Sequence, residues 1–450
     1  MKNSDVLGRE KISTLLFKLS TPIMISMFIQ ALYNVVDSIF VSRLSEEALN
    51  AVSIAFPIQN TFVAIAVGTA VGVNANASKS LGEKNKDRGR KFGENGVFLS
   101  LIYSLAFIIF GLFLTEGYVD LQTSDPVIKA HAIEYIRIVS CLAVGIFMAI
   151  VVERILQASG KSFYTMVAQT VGAVINIALD PILIFGLWGF PALGVKGAAI
   201  ATVAGQFSCA LINILLNQFY NKELAIKSLK PDLEIIKEIY KVGLPTIILI
   251  FISSFTIFML NRIVKVFSET AVAMLGIFFK VQSFIFMPLF GLNNGMIPIL
   301  AYNYGAGNAR RMREVMRKSL IVGEFILILG GLLFILKPEE IFSLFNPSSH
   351  MLEIGVPAFK IIGVSFFFTG INMVTGAIFQ GLGDGKIALY QIIIRQLVIL
   401  LPVAYFISKV GTLNNIWYAY IVSEVVGMIF SIYWLKNIAL KKAELLKSYN

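Results

Sequence analysis
The chain has 450 residues, of which 57% are apolar and 14% charged, with a formal net charge of +11. A soluble domain carries about 25% charged residues and stops enlarging a single core near about 250–300 residues. A soluble enzyme, a disordered chain and a nucleic-acid binder are thereby excluded as first readings. Apolar runs of about 20 residues, enough to cross a bilayer, alternate here with short polar clusters, so an all-α polytopic membrane protein is expected.

In chain order the runs predict twelve transmembrane helices, at 14–41, 50–75, 92–114, 131–153, 163–187, 195–219, 240–263, 271–298, 316–336, 355–378, 387–409 and 414–436. The first 13 residues are polar and no small-residue cleavage site follows the first run, so no removable signal peptide is expected. Cys141 and Cys209 lie within apolar runs and read as buried thiols rather than a disulfide. Of the 38 lysines and arginines, 27 fall in the tails and the even-to-odd loops. Six fall in the opposite loops: Arg43, Lys129, Lys196, Lys265, Lys337 and Lys409. The positive-inside rule then places both termini in the cytoplasm, and a multi-pass protein of the plasma (inner) membrane is expected.

The chain repeats itself at an offset of 223. Pro22 maps to Pro245, Gly72 to Gly295, Gly82 to Gly305, Asn85 to Asn308, Arg88 and Arg90 to Arg311 and Arg313, and Gln157 and Gly160 to Gln380 and Gly383. An even number of spans per half means that both halves face the same way, related by an axis along the membrane normal. The expected organisation is two pseudo-symmetric six-helix lobes, residues 1–219 and 242–450, joined by a basic cytoplasmic linker at 220–241. Such repeats are the build of secondary transporters, with the substrate path at the repeat interface.

An acid inside a membrane helix costs about 2.5–3.5 kcal/mol on insertion scales, so it is functional by default. Asp37 and Asp180 lie inside runs, and the repeat places Leu260 and Val403 where their counterparts would be. A generic folding role would appear in both halves. Gln30, Asn34 and Asp37 are spaced i, i+4, i+7 on one face, Asn176 and Asp180 share a face, and Pro181 removes a backbone donor beside them. Tyr135 and Thr202 occur at a similar depth in the fourth and sixth helices. Two carboxylates with an amide and hydroxyls in a poorly hydrated pocket can exchange a proton, or hold a small hard cation such as Na+. The bland alternative for each is an interhelical hydrogen bond.

Other polar residues read as structural. Lys280 and Arg395 read as snorkelling or paired cations, Glu153 and Arg154 as a surface pair, and Glu324 and Glu424 as interfacial. His131 stands alone, and Gly381-Leu382-Gly383-Asp384-Gly385 follows no strand, so the phosphate-loop reading fails its context. The basic loops 79–91 and 310–318 read as topology determinants that meet lipid headgroups. No zinc spacing, catalytic triad or nucleotide motif appears, so no enzyme activity and no bound cofactor is expected.

The stretch Leu32-Tyr33-Asn34-Val35-Val36-Asp37-Ser38-Ile39-Phe40-Val41 resembles the first-helix motif of the multidrug and toxic compound extrusion (MATE) family. Gln157-Ala158-Ser159-Gly160-Lys161 and its partner Gln380-Gly381-Leu382-Gly383-Asp384-Gly385-Lys386 resemble it too. So do Asn176-Ile177-Ala178-Leu179-Asp180-Pro181, Gly197-Ala198-Ala199-Ile200-Ala201-Thr202 and Asn303-Tyr304-Gly305-Ala306-Gly307-Asn308. The resemblance spans the whole chain and looks nearest to the bacterial MepA/DinF-like branch of the superfamily called MOP. It implies two lobes forming a V that opens alternately to either side, exporting amphipathic, often cationic drugs against Na+ or H+. It also implies a cation site in the N-terminal lobe at Asp37, Asn176 and Asp180 (the metal ligands if the ion is Na+), with Thr202 assisting and Gln30 and Tyr135 lining the cavity. Some relatives couple through acids of helices seven and ten; residues 244–260 and 361–380 here contain none.

The expected function is therefore secondary active multidrug export, with 36 Phe and 14 Met suiting a promiscuous apolar cavity. The expected partners are drugs and membrane lipid, with no nucleic acid, and the expected state is a monomer. One rival is a lipid-linked oligosaccharide flippase, which needs cations for pyrophosphate and has only Lys280, Arg395 and Arg137 to offer. The other rival is a non-transporting membrane scaffold.

Overall fold
The computed structural model describes residues 5–345 and 347–448. Among these, eleven helices are long and apolar enough to cross a membrane, and a twelfth span is bent by 44° between Pro126–Cys141 and Val144–Ala158. Helices are what apolar spans must form, because lipid offers the backbone no hydrogen-bond partner. In order the spans are Ile12–Ser42, Glu46–Gly82, Lys86–Asp120, the bent pair, Ser162–Phe185, Val195–Tyr220, Leu233–Lys265, Glu269–Gly305, Ala309–Leu336, Ser349–Gly381, Gly385–Val410 and Leu413–Leu446. The twelve predicted spans are all present, and the chain is a multi-pass α-helical membrane protein.

Most helices outrun their apolar runs, because caps rather than hydropathy end them. The Ser45 side chain accepts from the Ala48 amide, with Glu46 and Glu47 in the first turn, where the helix dipole favours acids. Ser268 does the same for Ala271, 223 residues on. Asn85 and Asn308 cap the third and ninth spans through the amides of Arg88 and Arg311. Gly160 and Gly383 both sit at φ 79°, the left-handed region open to glycine, where the chain turns into the next helix. The repeat is thus a repeat of caps and turns.

The chain divides into two compact units, one built on Thr21–Gly243 and the other on Gly8–Ser20 together with Leu244 onward. The first and seventh spans therefore each begin in one unit and continue in the other, with Pro22 and Pro245 just past the switch. Gly72 and Gly295 explain how the borrowed helix starts are received. A Cβ at Gly72 would lie 2.3 Å from the Ile239 carbonyl oxygen, and one at Gly295 would lie 2.4 Å from the Ser20 hydroxyl. Helix backbones approach closely in membranes only where such small residues permit it.

The seventh helix starts at Leu233, several residues before the expected 240. The irregular stretch ahead of it is held by side chains of the third span. Glu94 Oε1 accepts from the amides of Lys227 and Ser228 at 3.0 Å each, and Asn95 Oδ1 accepts from Asp232 at 2.8 Å. The first unit's core runs through Phe62, Tyr135, Phe147 and Ile184. In the second unit Phe334 stacks on Phe359, and Phe342 packs against Phe359 at a tilt.

Candidate functional site
The fifth and sixth spans are zipped at two glycine contacts. A Cβ at Gly172 would meet the Gly205 carbonyl oxygen at 2.7 Å, and one at Gly197 would meet the Leu183 carbonyl oxygen at 2.5 Å. Asn176, Asp180 and Thr202 lie between these two contacts, so the backbone approach holds them in register. Asp180 is fully buried, with Asn176 at 2% exposure and Tyr135 at 1%.

Asp37 stands five residues before the end of the first span and Asp180 five before the end of the fifth. The Asp37 charge reaches the Asp180 carboxylate, and the Tyr135 hydroxyl lies near both acids. That hydroxyl accepts from Gln59 Nε2 at 3.3 Å, and Thr202 lies beside it. Pro181 leaves the Ile177 carbonyl without its usual helical donor.

Buried polar atoms are ordinarily partnered, and orphans need a reason. Five orphans gather here: Asp37 Oδ1, Asn176 Oδ1 and Nδ2, and both Asp180 oxygens have no hydrogen-bond partner in the protein. Four of the five are hard oxygens, fitting a proton or a small hard cation, and the fifth is the Asn176 amide nitrogen. Among the described residues no group of three or more His, Cys, Asp or Glu side chains is placed to hold a metal ion. Beside the cluster lies a small cavity of about 60 Å³ lined by Gln30, Tyr33, Asn176, Thr202 and Cys209 among others.

Six of the seven residues singled out from sequence are thus brought to one region of the first unit. The seventh, Asn34, has an exposed side chain and does not line this cavity. Gln59 was missed, although a glutamine within an apolar run was the available signal.

A second polar network, which sequence reasoning did not find, lies in the other unit. Arg395 Nη1 stands 3.3 Å from Glu424 Oε2, with both side chains largely buried. Asn372 Nδ2 donates to the same oxygen at 2.7 Å, and Ser431 donates to Asn372 Oδ1 at 2.8 Å. Arg395 is therefore a paired cation, and Glu424 faces the unit's interior rather than the interface. Glu324 is also no interfacial residue: it stands mid-way along Ala309–Leu336, and its Oε2 is buried without a partner.

Fold and site together define a polytopic α-helical membrane protein with an internal repeat and a buried acidic cluster in its first half. The MatE family model matches residues 22–182 and 242–406, and the chain belongs to that family of transporters. It is similar to the multidrug export protein MepA of Staphylococcus haemolyticus, 24% identical over 95% of both chains. It is also similar to the probable multidrug resistance protein NorM of Thermotoga maritima, 26% identical over 88% of this chain and 85% of that one. Among solved structures, a multidrug resistance MATE family transporter of the MOP superfamily in an outward-facing conformation matches with a TM-score of 0.90 at 27% identity over 99% of both chains. A MOP superfamily transporter from Pyrococcus furiosus, described as having a binding pocket of reversed polarity, matches with a TM-score of 0.89 at 26% identity over 99% of both chains.

Proposed function
We propose that this protein is a secondary active multidrug exporter, expelling amphipathic and often cationic drugs against an inward flow of Na+ or H+. The observation that carries the reading is the cluster of orphaned oxygens at Asp37, Asn176 and Asp180. It sits in a framework whose repeated residues are caps, turns and close helix approaches, whereas the two acids have no repeat counterpart. A proton or Na+ taken up there offsets the buried negative charge and favours the conformer that holds it. If that conformer binds drug less tightly, ion entry and drug exit become linked, because a ligand shifts an equilibrium only by its differential affinity. Alternating access, with both termini cytoplasmic and the chain acting as a monomer, completes the reading. The names of the relatives MepA and NorM support the substrate class.

The flippase reading loses support from the geometry. Of its three cations, Arg395 is paired with Glu424 and Arg137 with Glu116 at 2.5 Å, which leaves Lys280. The test is export of a fluorescent dye cation in proteoliposomes under imposed Na+ or pH gradients. Wild type should transport under one of them, and Asp37→Asn and Asp180→Asn should each abolish that transport. Unchanged transport in both variants would place the coupling elsewhere. A non-transporting scaffold would show no gradient-dependent flux in wild type.

A further inference from the structure
The second unit has a basic pocket of about 440 Å³ between the segment that opens the first span and the start of the ninth. Five cations line it, Arg9, Lys11, Arg310, Arg311 and Lys318, against one carboxylate, Glu314. That carboxylate is engaged by Lys318 Nζ at 2.7 Å. Lys318 also donates to the Ser13 hydroxyl at 2.7 Å. Arg311 donates to the Glu10 carbonyl oxygen at 2.7 Å and to Asn303 Oδ1 at 2.9 Å. Hydrogen bonds from Arg311 and Lys318 therefore tie the walls of the pocket together.

The repeat supplies an internal control. The residues 223 positions from Arg9, Lys11 and Arg310 are Asp232, Glu234 and Asp87. In the first unit this counterpart region closes its own charges: Lys91 pairs with Asp232 at 3.2 Å, Arg88 with Glu238 at 2.7 Å and Arg90 with Asp87 at 2.5 Å. Three positions that are acidic in the first unit are cationic in the second, while one cation of the first, Lys91, corresponds to Glu314. Two arginines also stand in the opening turn of the ninth span, which has no acid there, although a helix start favours negative charge.

Below the pocket the same two helices turn apolar and outward. Phe17, one turn past Ser13, is 71% exposed, and Ile321 and Phe325, one and two turns past Lys318, are 58% and 59% exposed. A cationic cup at the head of an exposed apolar ridge matches a phosphate that carries acyl chains.

We propose that this pocket binds the phosphate of an anionic phospholipid, seating the headgroup between the start of the first span and the start of the ninth while the chains lie along Phe17, Ile321 and Phe325. With the termini cytoplasmic, as given under the proposed function, the lipid would belong to the cytoplasmic leaflet. The binding itself requires neither that orientation nor transport, so it is tested separately. The full chain in detergent, titrated with phosphatidylglycerol or phosphatidylcholine and read by native mass spectrometry, should prefer the anionic lipid. The triple variant Arg9→Gln/Lys11→Gln/Arg310→Gln should lose that preference by about tenfold or more, the scale expected for removing several cations from an anionic surface. The control Lys222→Gln/Lys227→Gln/Lys230→Gln, equal in charge removed, should keep it. Should the triple variant not fold, Arg310→Asp serves, because Asp87 occupies that position in the first half, and it should weaken phosphatidylglycerol binding by about fivefold. An unchanged preference in the folded pocket variants, or an equal loss in the control, overturns the proposal. Millimolar inorganic phosphate that displaces phosphatidylglycerol overturns the lipid as the source and assigns the pocket to soluble phosphates.

Discussion
Replacing Asp180 by Asn should make the protein more stable and stop its transport. The side chain is fully buried, neither carboxylate oxygen has a partner, and Asp37 adds a like charge. An ionised acid within a span costs about 2.5–3.5 kcal/mol on insertion scales, whereas an unsatisfied neutral polar group costs about 1–3 kcal/mol. The isosteric amide leaves the packing of the fifth span against the sixth intact, so the net gain should be about 1–2 kcal/mol. Thermal unfolding in detergent, without Na+ and at high pH, should show Asp180→Asn above wild type. Adding the coupling ion should stabilise wild type and not the variant, closing the gap, because a ligand that binds only the folded site adds stability by mass action. The same preparation should show dye transport reduced by at least about tenfold, the scale of 1.4 kcal/mol of lost coupling. A variant that is less stable than wild type, or that gains from the ion as wild type does, would refute the assignment of Asp180 as an ion-bearing group.

Three further outcomes follow from the packing and the networks. Gly72→Ala puts a Cβ 2.3 Å from the Ile239 carbonyl oxygen and should destabilise by about 1–3 kcal/mol in unfolding assays, with Gly295→Ala behaving likewise against Ser20. Arg395→Leu strands the buried Glu424 carboxylate and should cost about 3–5 kcal/mol, of which the double variant Arg395→Leu/Glu424→Leu recovers most, as a double-mutant cycle would show. Asn34→Ala should leave ion-driven dye transport within about twofold of wild type, since exposed positions away from key contacts have small effects, whereas Tyr135→Phe, which removes the hydroxyl bonded by Gln59, should lower it measurably.

Much of this was legible in the sequence because the bilayer imposes a simple rule: an apolar run of sufficient length becomes a helix. The number of spans follows from that rule, and the offset of 223 follows from matching turn and cap residues such as Gly160 with Gly383 and Asn85 with Asn308. Helix ends were less legible, because caps such as Ser45 extend a helix into polar sequence. The break after Cys141 has no proline or glycine at Leu142 and Ala143 to announce it. The exchange of helix starts between units was invisible, since Gly72 and Gly295 reveal a close approach only once their neighbours are known.

For the site, acids without repeat counterparts singled out Asp37 and Asp180, and the i, i+4 spacing added Asn176. Spacing alone did not separate Asn34 from Gln30, which lines the small cavity, because sharing a broad face does not fix which neighbour that face meets. Glu424 and Glu324 were misjudged for a related reason. Distance from a helix end estimates depth, but only packing shows that Arg395 and Asn372 surround Glu424.

The most direct test of the coupling claim runs the exchange backwards. Proteoliposomes loaded with a dye cation, with no ion gradient imposed, are diluted into dye-free medium while internal Na+ and pH are followed. The account predicts that outward dye movement draws one of these ions inward against its own developing gradient in wild type, and that Asp180→Asn shows no such ion movement. Dye movement without any ion movement in wild type, or ion movement equal in the variant, would contradict it.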